Sequence, residues 1–393
     1  MNQAAEIIAG EIANKGAIPF ARFMELALYC PIYGYYEREK DIIGRDGDYF
    51  TSVSVGSLFG ELLAFQFAEW LVEGPSSAAC RAPSAEGEGG AGTGVRRIVE
   101  AGAHDGKLAR DILAWMREHR PALFQGLEYW IVEPSEQIRT WQEGALAQFA
   151  AKLHWVKQLP ELLSAPTRPA TDRHPRASVR GVIFSNELLD AMPVHRLGWD
   201  AKARTWYEWG VTSADGRFIW TKMPANAESS TGNWQLAIGS ELLNVLPDGF
   251  TIDVSPAAER WWREAASMLK CGRLVTIDYG LTADEFLVPE RKEGTVRAYS
   301  KHQSSRDVLA DPGEQDITAH VNFTAIQAAG ESAGLRTDGF LTQAQFLTGI
   351  TARVWKGGAS FGEWTPVRTR QLQTLTHPHH LGQPFRVLVQ SRT

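Results

Sequence analysis

Apolar positions along the chain alternate between helical spacing and short continuous runs. Ile7, Ile8 and Ile12 form one helical stripe, and Phe20, Phe23, Met24 and Leu28 form another. Gly16 and Pro19 separate the two and Pro31 ends the second, so residues 1–31 are predicted as two short helices. An aromatic loop follows at 31–36, then a polar, glycine-bearing segment at 44–52. Residues 58–71 form a strongly apolar helix with Phe59, Leu62, Leu63 and Phe67 on one face. From 73 to 97 the composition collapses to Gly, Ser, Ala, Pro and Glu, which predicts a flexible insertion. Strand and helix then alternate: strand Ile98–Val99, helix Lys107–His119 stopped by Pro121, strand Tyr129–Glu133, helix Ile138–Ala150, strand Leu153–Val156 and, past a Pro- and Arg-containing loop at 167–176, strand Val179–Phe184. The period changes over Trp199–Trp209 and Arg217–Met223, a predicted twisted hairpin turning at Ala214-Asp-Gly216. Helix Ala257–Leu269 with Gly272 as its cap, strand Leu274–Ile277, a long polar loop at 281–316, helix Phe323–Ala333 capped by Gly334 and a last strand Phe385–Val389 complete the pattern. Five strands with interposed helices and a late terminal strand predict a doubly wound α/β sheet. The expected organisation is a helical cap and lid at 1–72, the insertion at 73–97, and an α/β domain at 98–393 with a hairpin insertion at about 198–256.

The stretch 97–113 organises the rest. Glu100 stands at the tip of a buried strand, and Gly102 and Gly106 bend the backbone into a helix with Leu108, Ile112, Leu113 and Met116 on its apolar side. Such a turn is how an open α/β sheet receives a nucleotide-like ligand. The helix N-terminus adds free N–H groups and a partial positive charge, worth about 0.3–1 kcal/mol to an anion. The dinucleotide pattern G-x-G-x-x-G fails at His104 and Lys107, which counts against a nicotinamide-dependent oxidoreductase. The looser pattern of an S-adenosylmethionine site, an acid then Gly-x-Gly-x-Gly, matches at Glu100, Gly102 and Gly106, with His104 at the middle glycine. The plain alternative is an ordinary strand-to-helix turn with Asp105 as N-cap. Glu133, at the end of the next strand, stands where a carboxylate accepts both hydroxyls of a ribose; otherwise it is a surface acid capping the helix near Ser135. Asn186, Glu187 and Asp190 follow the fourth strand. In a helical turn Glu187 and Asp190 share a face and can clamp a guanidinium, or else the segment is a capping pattern with solvated acids.

Composition narrows the chemistry. With 40 basic and 46 acidic residues the net charge is −6, so no global field favours nucleic acid. Cys30, Cys80 and Cys271 lie far apart, without metal-ligand spacing, and point to a reducing compartment. No apolar run reaches the ~18 residues that span a bilayer. Glu6 and Glu11 replace the cationic start of a signal or transit peptide, and a cytoplasmic location is expected. His377-Pro-His379-His380 has no carboxylate or cysteine partner nearby, so no metal is expected. Most of the 14 tryptophans, Trp261-Trp262 included, read as packing; the Trp- and Tyr-rich hairpin at 199–223 points to a protein partner.

Over roughly residues 15–72 and 96–347 the chain resembles the MidA family of S-adenosylmethionine-dependent methyltransferases. The resemblance rests on an ordered set: Ile18-Pro-Phe with Phe23-Met and Ala27-Leu-Tyr; Gly34-Tyr-Tyr; Gly47-Asp-Tyr-Phe-Thr-Ser52; Leu58-Phe-Gly-Glu-Leu62; the Glu100 turn; Asn186-Glu-Leu-Leu-Asp-Ala-Met-Pro193 with Val194-His-Arg196; Ile277-Asp-Tyr-Gly280; Gly294-Thr-Val-Arg297; Tyr299; His302; and Asp316-Ile-Thr-Ala-His-Val321. The chain departs from the family at His104 (usually Gly), Val53 (usually Pro) and Asn322 (usually Asp). The family includes a mitochondrial protein arginine methyltransferase that assists respiratory complex I assembly. The resemblance therefore implies a Rossmann-like class I methyltransferase sheet, S-adenosylmethionine as cofactor and a protein arginine as methyl acceptor. A non-catalytic scaffold or assembly factor for a respiratory complex, and a small-molecule methyltransferase, are the alternatives. Residue by residue, it implies Thr51, Glu100, Gly102, Ala103, His104, Gly106 and Glu133 at the cofactor. It places Asn186, Glu187 and Asp190 at the chemistry, and His195, Arg297, His302, Asp316 and His320 at the substrate. The segment 47–52 would lid the cofactor.

Overall fold

The computed structural model describes residues 2–37, 51–73, 95–163, 179–225, 243–300, 303–357 and 361–393. Residues 44–50, Cys80, the loop at 167–176, His302 and nearly all of the expected insertion lie outside the described residues. The chain divides into two units, residues 1–51, 189–261 and 279–329 in one and 52–188, 262–278 and 330–393 in the other. The division falls elsewhere than the sequence suggests: the N-terminal helices share a unit with the hairpin region, and helix Leu58–Glu73 belongs with the sheet.

The sheet-bearing unit is doubly wound. Its strands are β1 (Arg96–Ala101), β2 (Leu127–Val132), β3 (Leu153–Val156), β4 (Val179–Asn186), β5 (Leu269–Leu281), β6 (Arg336–Thr342) and β7 (Phe385–Arg392). They lie in the order 3-2-1-4-5-7-6. β1 pairs in parallel with β2 and β4, and β6 pairs antiparallel with β7. Ile98, Val99, Ile131, Ile183, Phe184, Leu274, Val275 and Ile277 are fully buried, as strands covered on both faces require. Helices Leu58–Glu73, Lys107–His119 and Glu136–Ala145 belong to this unit. Strand order reverses at β1, so the carboxyl ends of β1 and β4 flank the switch point where open α/β sheets bind ligands.

One row of this sheet is very tight. Gly181 (φ 145°) backs onto the Arg97 carbonyl, and Gly272 (φ 127°) backs onto the Gly181 carbonyl; a Cβ at either would strike that oxygen. Gly272 is thus a close-approach residue inside β5 rather than the cap of the preceding helix, which runs Pro256–Met268. Gly181→Ala is expected to destabilise the fold by about 3 kcal/mol, lowering the thermal midpoint by roughly 3–4 °C. An unchanged midpoint in a melting experiment would contradict this packing.

The second unit is mainly antiparallel. Strand Ile18–Pro19 pairs with Thr205–Ala214, which pairs with His195–Asp200 and Arg217–Pro224; His195–Asp200 pairs in turn with Thr251–Val254. Trp199–Trp209, expected as one strand, is therefore two, joined through residues 201–204 with Arg204 at φ 54°. The hairpin turn does fall at Asp215 (φ 51°) and Gly216 (φ 73°). The expected polar loop at 281–316 contains helix Ala283–Phe286 and strands Arg297–Ser300 and Gln303–Ser305, the former pairing with Asp316–Thr318. The N-terminal helices, Gln3–Lys15 and Phe20–Tyr29, bury Ile8, Ile12, Phe20, Phe23 and Met24 against Val194, Val211, Val296 and Ile317. Among the described residues no helix is long and apolar enough to cross a membrane.

Candidate active site

The turn after β1 is built from three residues in the left-handed region, Gly102 (φ 73°), His104 (φ 45°) and Gly106 (φ 76°). Glycine adopts this conformation without steric cost, whereas at residue 104 a β-carbon must be accommodated. Gly106, not Asp105, is the N-cap of helix Lys107–His119 and offers no side-chain cap; the Asp105 carboxylate instead accepts from the Lys107 N–H (2.9 Å). The His104 ring is drawn below the ordinary histidine pKa by burial, partly opposed by Asp105, and its buried Nδ1 has no hydrogen-bond partner. Ala103 is buried.

Glu100 and Tyr129 are both buried, and the tyrosine hydroxyl donates to Glu100 Oε2 at 2.6 Å. Burial raises Glu100 to about 8, opposed by the Tyr129 bond and helped by Asp105. The carboxyl is protonated in the folded protein at pH 7 and ionises once the chain unfolds. Between its ordinary 4.5 and about 8 the folded state holds the extra proton, so this group turns progressively against folding as pH rises through that window and levels off above it. The midpoint of Glu100→Gln, which keeps an oxygen for Tyr129, is expected to gain on the native protein between pH 5 and 8. A constant difference in melting curves across that range would show that Glu100 ionises normally.

Glu133 is buried rather than a surface acid. One carboxylate oxygen accepts from the Ser135 N–H (3.0 Å) and the other from Gln142 Nε2 (3.2 Å). Gln142 was not legible as a site residue, because a glutamine two turns into a polar helix ordinarily faces solvent; here it is fully buried.

Past β4 the chain forms bends and turns, not a helix, so the three-residue spacing of Glu187 and Asp190 does not set them on one helical face. The division between the units falls between them. Glu187 itself sits at φ 51°. Its N–H donates to the Ile277 carbonyl (2.9 Å), its Oε1 accepts from Asn186 Nδ2 (3.0 Å), and the next N–H, of Leu188, donates to Asp278 (3.2 Å). Asn186 Oδ1 is buried without a hydrogen-bond partner. A Cβ on Gly102 would lie 3.0 Å from Leu188 Cδ1, so this segment adjoins the glycine turn.

In the antiparallel unit Asp316 is buried, accepts from the Tyr36 hydroxyl (2.7 Å) and lies across the strand pair from Tyr299. Burial raises Tyr299 above the ordinary tyrosine value, with Arg297 opposing and Asp316 and Asp190 adding to it. Tyr29 stacks on Tyr36 at 5.6 Å and donates to the Ala191 carbonyl. Asp190 is buried and its carbonyl accepts from the Ala319 N–H. His195 is held by Glu208, Nδ1 to Oε1 at 2.6 Å, both buried. His320 lines a small cavity with Asp253, Ser255, Glu259 and Asn322; burial and the nearby Arg291 and Arg297 lower it to about 4, and its Nδ1 lacks a hydrogen-bond partner. Thr51 is buried. No cluster of three metal-ligating side chains occurs among the described residues.

The donor set fits S-adenosylmethionine. Glu133 offers a fixed carboxylate suited to ribose hydroxyls, the turn from Gly102 to Gly106 presents backbone polar groups, and the His104 nitrogen is buried without a partner. Comparison with known proteins agrees. A family model of S-adenosyl-L-methionine-dependent methyltransferases matches residues 88–341. Two curated proteins are each 26% identical. Homo sapiens protein arginine methyltransferase NDUFAF7, mitochondrial, aligns over 95% of this chain and 80% of its own; the Drosophila melanogaster homolog aligns over 84% and 70%. A Burkholderia thailandensis protein solved with bound S-adenosyl-homocysteine superimposes with TM-score 0.77 and 31% identity, over 99% of this chain and 92% of its own.

Proposed function

The chain belongs to the family of S-adenosyl-L-methionine-dependent methyltransferases, and on that premise we propose that its methyl acceptor is an arginine side chain of a protein. The observation that carries this reading is Glu187, a charged residue held at φ 51° at the carboxyl end of β4 beside the glycine turn. A non-glycine residue there costs of order 1–3 kcal/mol, and such strain collects where a side chain must be aimed. When bound, the cofactor supplies an electrophilic methyl group on a sulfonium. The remaining work falls to the protein. An arginine stays protonated up to a pKa above ~12 and loses its proton only during attack. A carboxylate fixed by a neighbouring amide, as Glu187 is by Asn186, draws the guanidinium charge onto one nitrogen and frees another to attack.

Asp190 and Asp316, with Tyr36 and Tyr299, form a carboxylate and tyrosine cluster suited to a cationic chain, and we assign them to acceptor recognition together with Arg297, His302 and His320. His195 enters through the strand that its bond to Glu208 anchors. Thr51, Glu100, Ala103 and the glycine turn serve the cofactor. The names of the curated relatives support a protein arginine acceptor. A role in respiratory-complex assembly and a cytoplasmic location belong to the same proposal, resting on the family resemblance and on composition. His104, in place of the family's glycine, is the observation that favours the scaffold alternative.

The test supplies methyl-labelled S-adenosylmethionine with an arginine-containing polypeptide and with its arginine-to-lysine counterpart. Methylarginine from the first alone is expected on hydrolysis. Equal label in both would reject arginine, and label in neither, with S-adenosylhomocysteine still bound, would favour the scaffold.

A further inference from the structure

We propose that Gln142 is the positioning residue of the cofactor pocket, locking the glycine turn to the acid that holds the ribose; this rests on reading Glu133 as the ribose-binding carboxylate. The side chain is fully buried on helix Glu136–Ala145. Its Nε2 donates to the His104 carbonyl (2.9 Å) and to Glu133 Oε2 (3.2 Å), while its Oε1 accepts from the Trp155 indole N–H (2.9 Å). A carbonyl and a carboxylate can only accept, and an indole N–H can only donate. The partners therefore dictate both the identity of the side chain and the orientation of its amide: only a primary amide supplies two donors and one acceptor from a single group. Glutamate would face two acceptors, and methionine has no donor for the carbonyl or the carboxylate.

The three partners come from the turn after β1, the residue that follows β2, and β3, and these strands are successive neighbours in the sheet. Gln142 thus joins the ligand-binding ends of adjacent strands. Its grip on the His104 carbonyl also fixes the peptide of a non-glycine residue at φ 45°, where a free turn would relax. With Gln142 in place, the backbone groups of the turn and the Glu133 carboxylate hold one relative geometry before the cofactor arrives. Preorganisation of this kind acts on affinity for the ligand.

The inference is tested by calorimetric titration of the full chain with S-adenosylhomocysteine, using Gln142→Met, Glu133→Gln and the double variant. Gln142→Met is expected to weaken binding about tenfold and to raise the KM for S-adenosylmethionine in the same proportion, leaving kcat at saturating cofactor unchanged. Because the effect passes through Glu133, the double variant is expected to bind much more tightly than the product of the two single losses implies. Gln142→Glu adds a signature that packing alone would not give: its affinity recovers as pH falls and the new carboxylate protonates. Should Gln142→Met not fold, Trp155→Phe removes the indole donor while keeping an aromatic ring and carries the same coupling test, with an expected loss of about threefold. Independent, multiplying losses would overturn the inference, as would native affinity in Gln142→Met while Glu133→Gln is impaired. Native affinity in Glu133→Gln would instead overturn the reading of Glu133, and the inference with it.

Discussion

Glu187→Gln is expected to lower methyl transfer by roughly 10²–10⁴-fold, the range seen when a positioned acid or base is removed, while S-adenosylhomocysteine binds with native affinity. The substitution keeps the size of the side chain and an oxygen for Asn186 Nδ2 (3.0 Å), and the backbone bonds through Ile277 and Asp278 are untouched. The left-handed backbone at this residue is therefore retained, and thermal stability with it. What disappears is the negative charge. An amide cannot localise the charge of a guanidinium or take its proton, so the loss falls on kcat with arginine as acceptor. Steady-state rates with labelled cofactor, set beside titration of the same samples, separate the two effects. Loss of less than tenfold in kcat would remove Glu187 from the chemistry.

Gly102→Val is expected to weaken S-adenosylhomocysteine at least 100-fold, about 2.8 kcal/mol at 1.4 kcal/mol per decade. Residue 102 sits at φ 73°, where a β-branched side chain is an outlier. A Cβ there would lie 3.0 Å from Leu188 Cδ1, with two more Leu188 carbons within 3.7 Å. The turn must rotate to relieve both strains, and rotation redirects the backbone groups that face the switch point. The leucine contact carries the cost into the segment that bears Glu187. Affinity within threefold of native, measured by the same titration, would mean that the turn is not a cofactor cradle.

Much of this arrangement was legible in the sequence, and the reasons differ by element. Helix Lys107–His119 and strand Leu153–Val156 were placed to the residue, because Pro121 gives the helix an unambiguous stop and the strand is a short apolar run. The hairpin turn at Asp215-Gly216 was readable because few other residue pairs take two successive positive φ values easily. Strand β6, Arg336–Thr342, is not marked in the sequence: it lies at the sheet edge, half exposed, and its Thr, Asp and Gly residues carry no apolar alternation. Trp199–Trp209 read as one strand because aromatic residues continue on both sides of the turn at 201–204. The acids after β4 were found as chemistry-bearing residues by their place after a buried strand, but their backbone was not. A three-residue spacing suggests a helix, whereas tertiary hydrogen bonds through Ile277 and Asp278 impose turns and a left-handed glutamate. Gln142 was hidden for a related reason, since its three partners come from separate parts of the chain that only the sheet brings together.

A crystal structure with S-adenosylhomocysteine bound tests whether the turn after β1 and the acid after β2 together form the cofactor site. The ribose hydroxyls are expected on the Glu133 carboxylate and the remainder of the ligand along the Gly102–Gly106 backbone, with the Gln142 amide still joining His104, Glu133 and Trp155. Ligand density elsewhere on the chain, or a ribose with no contact to Glu133, would contradict it.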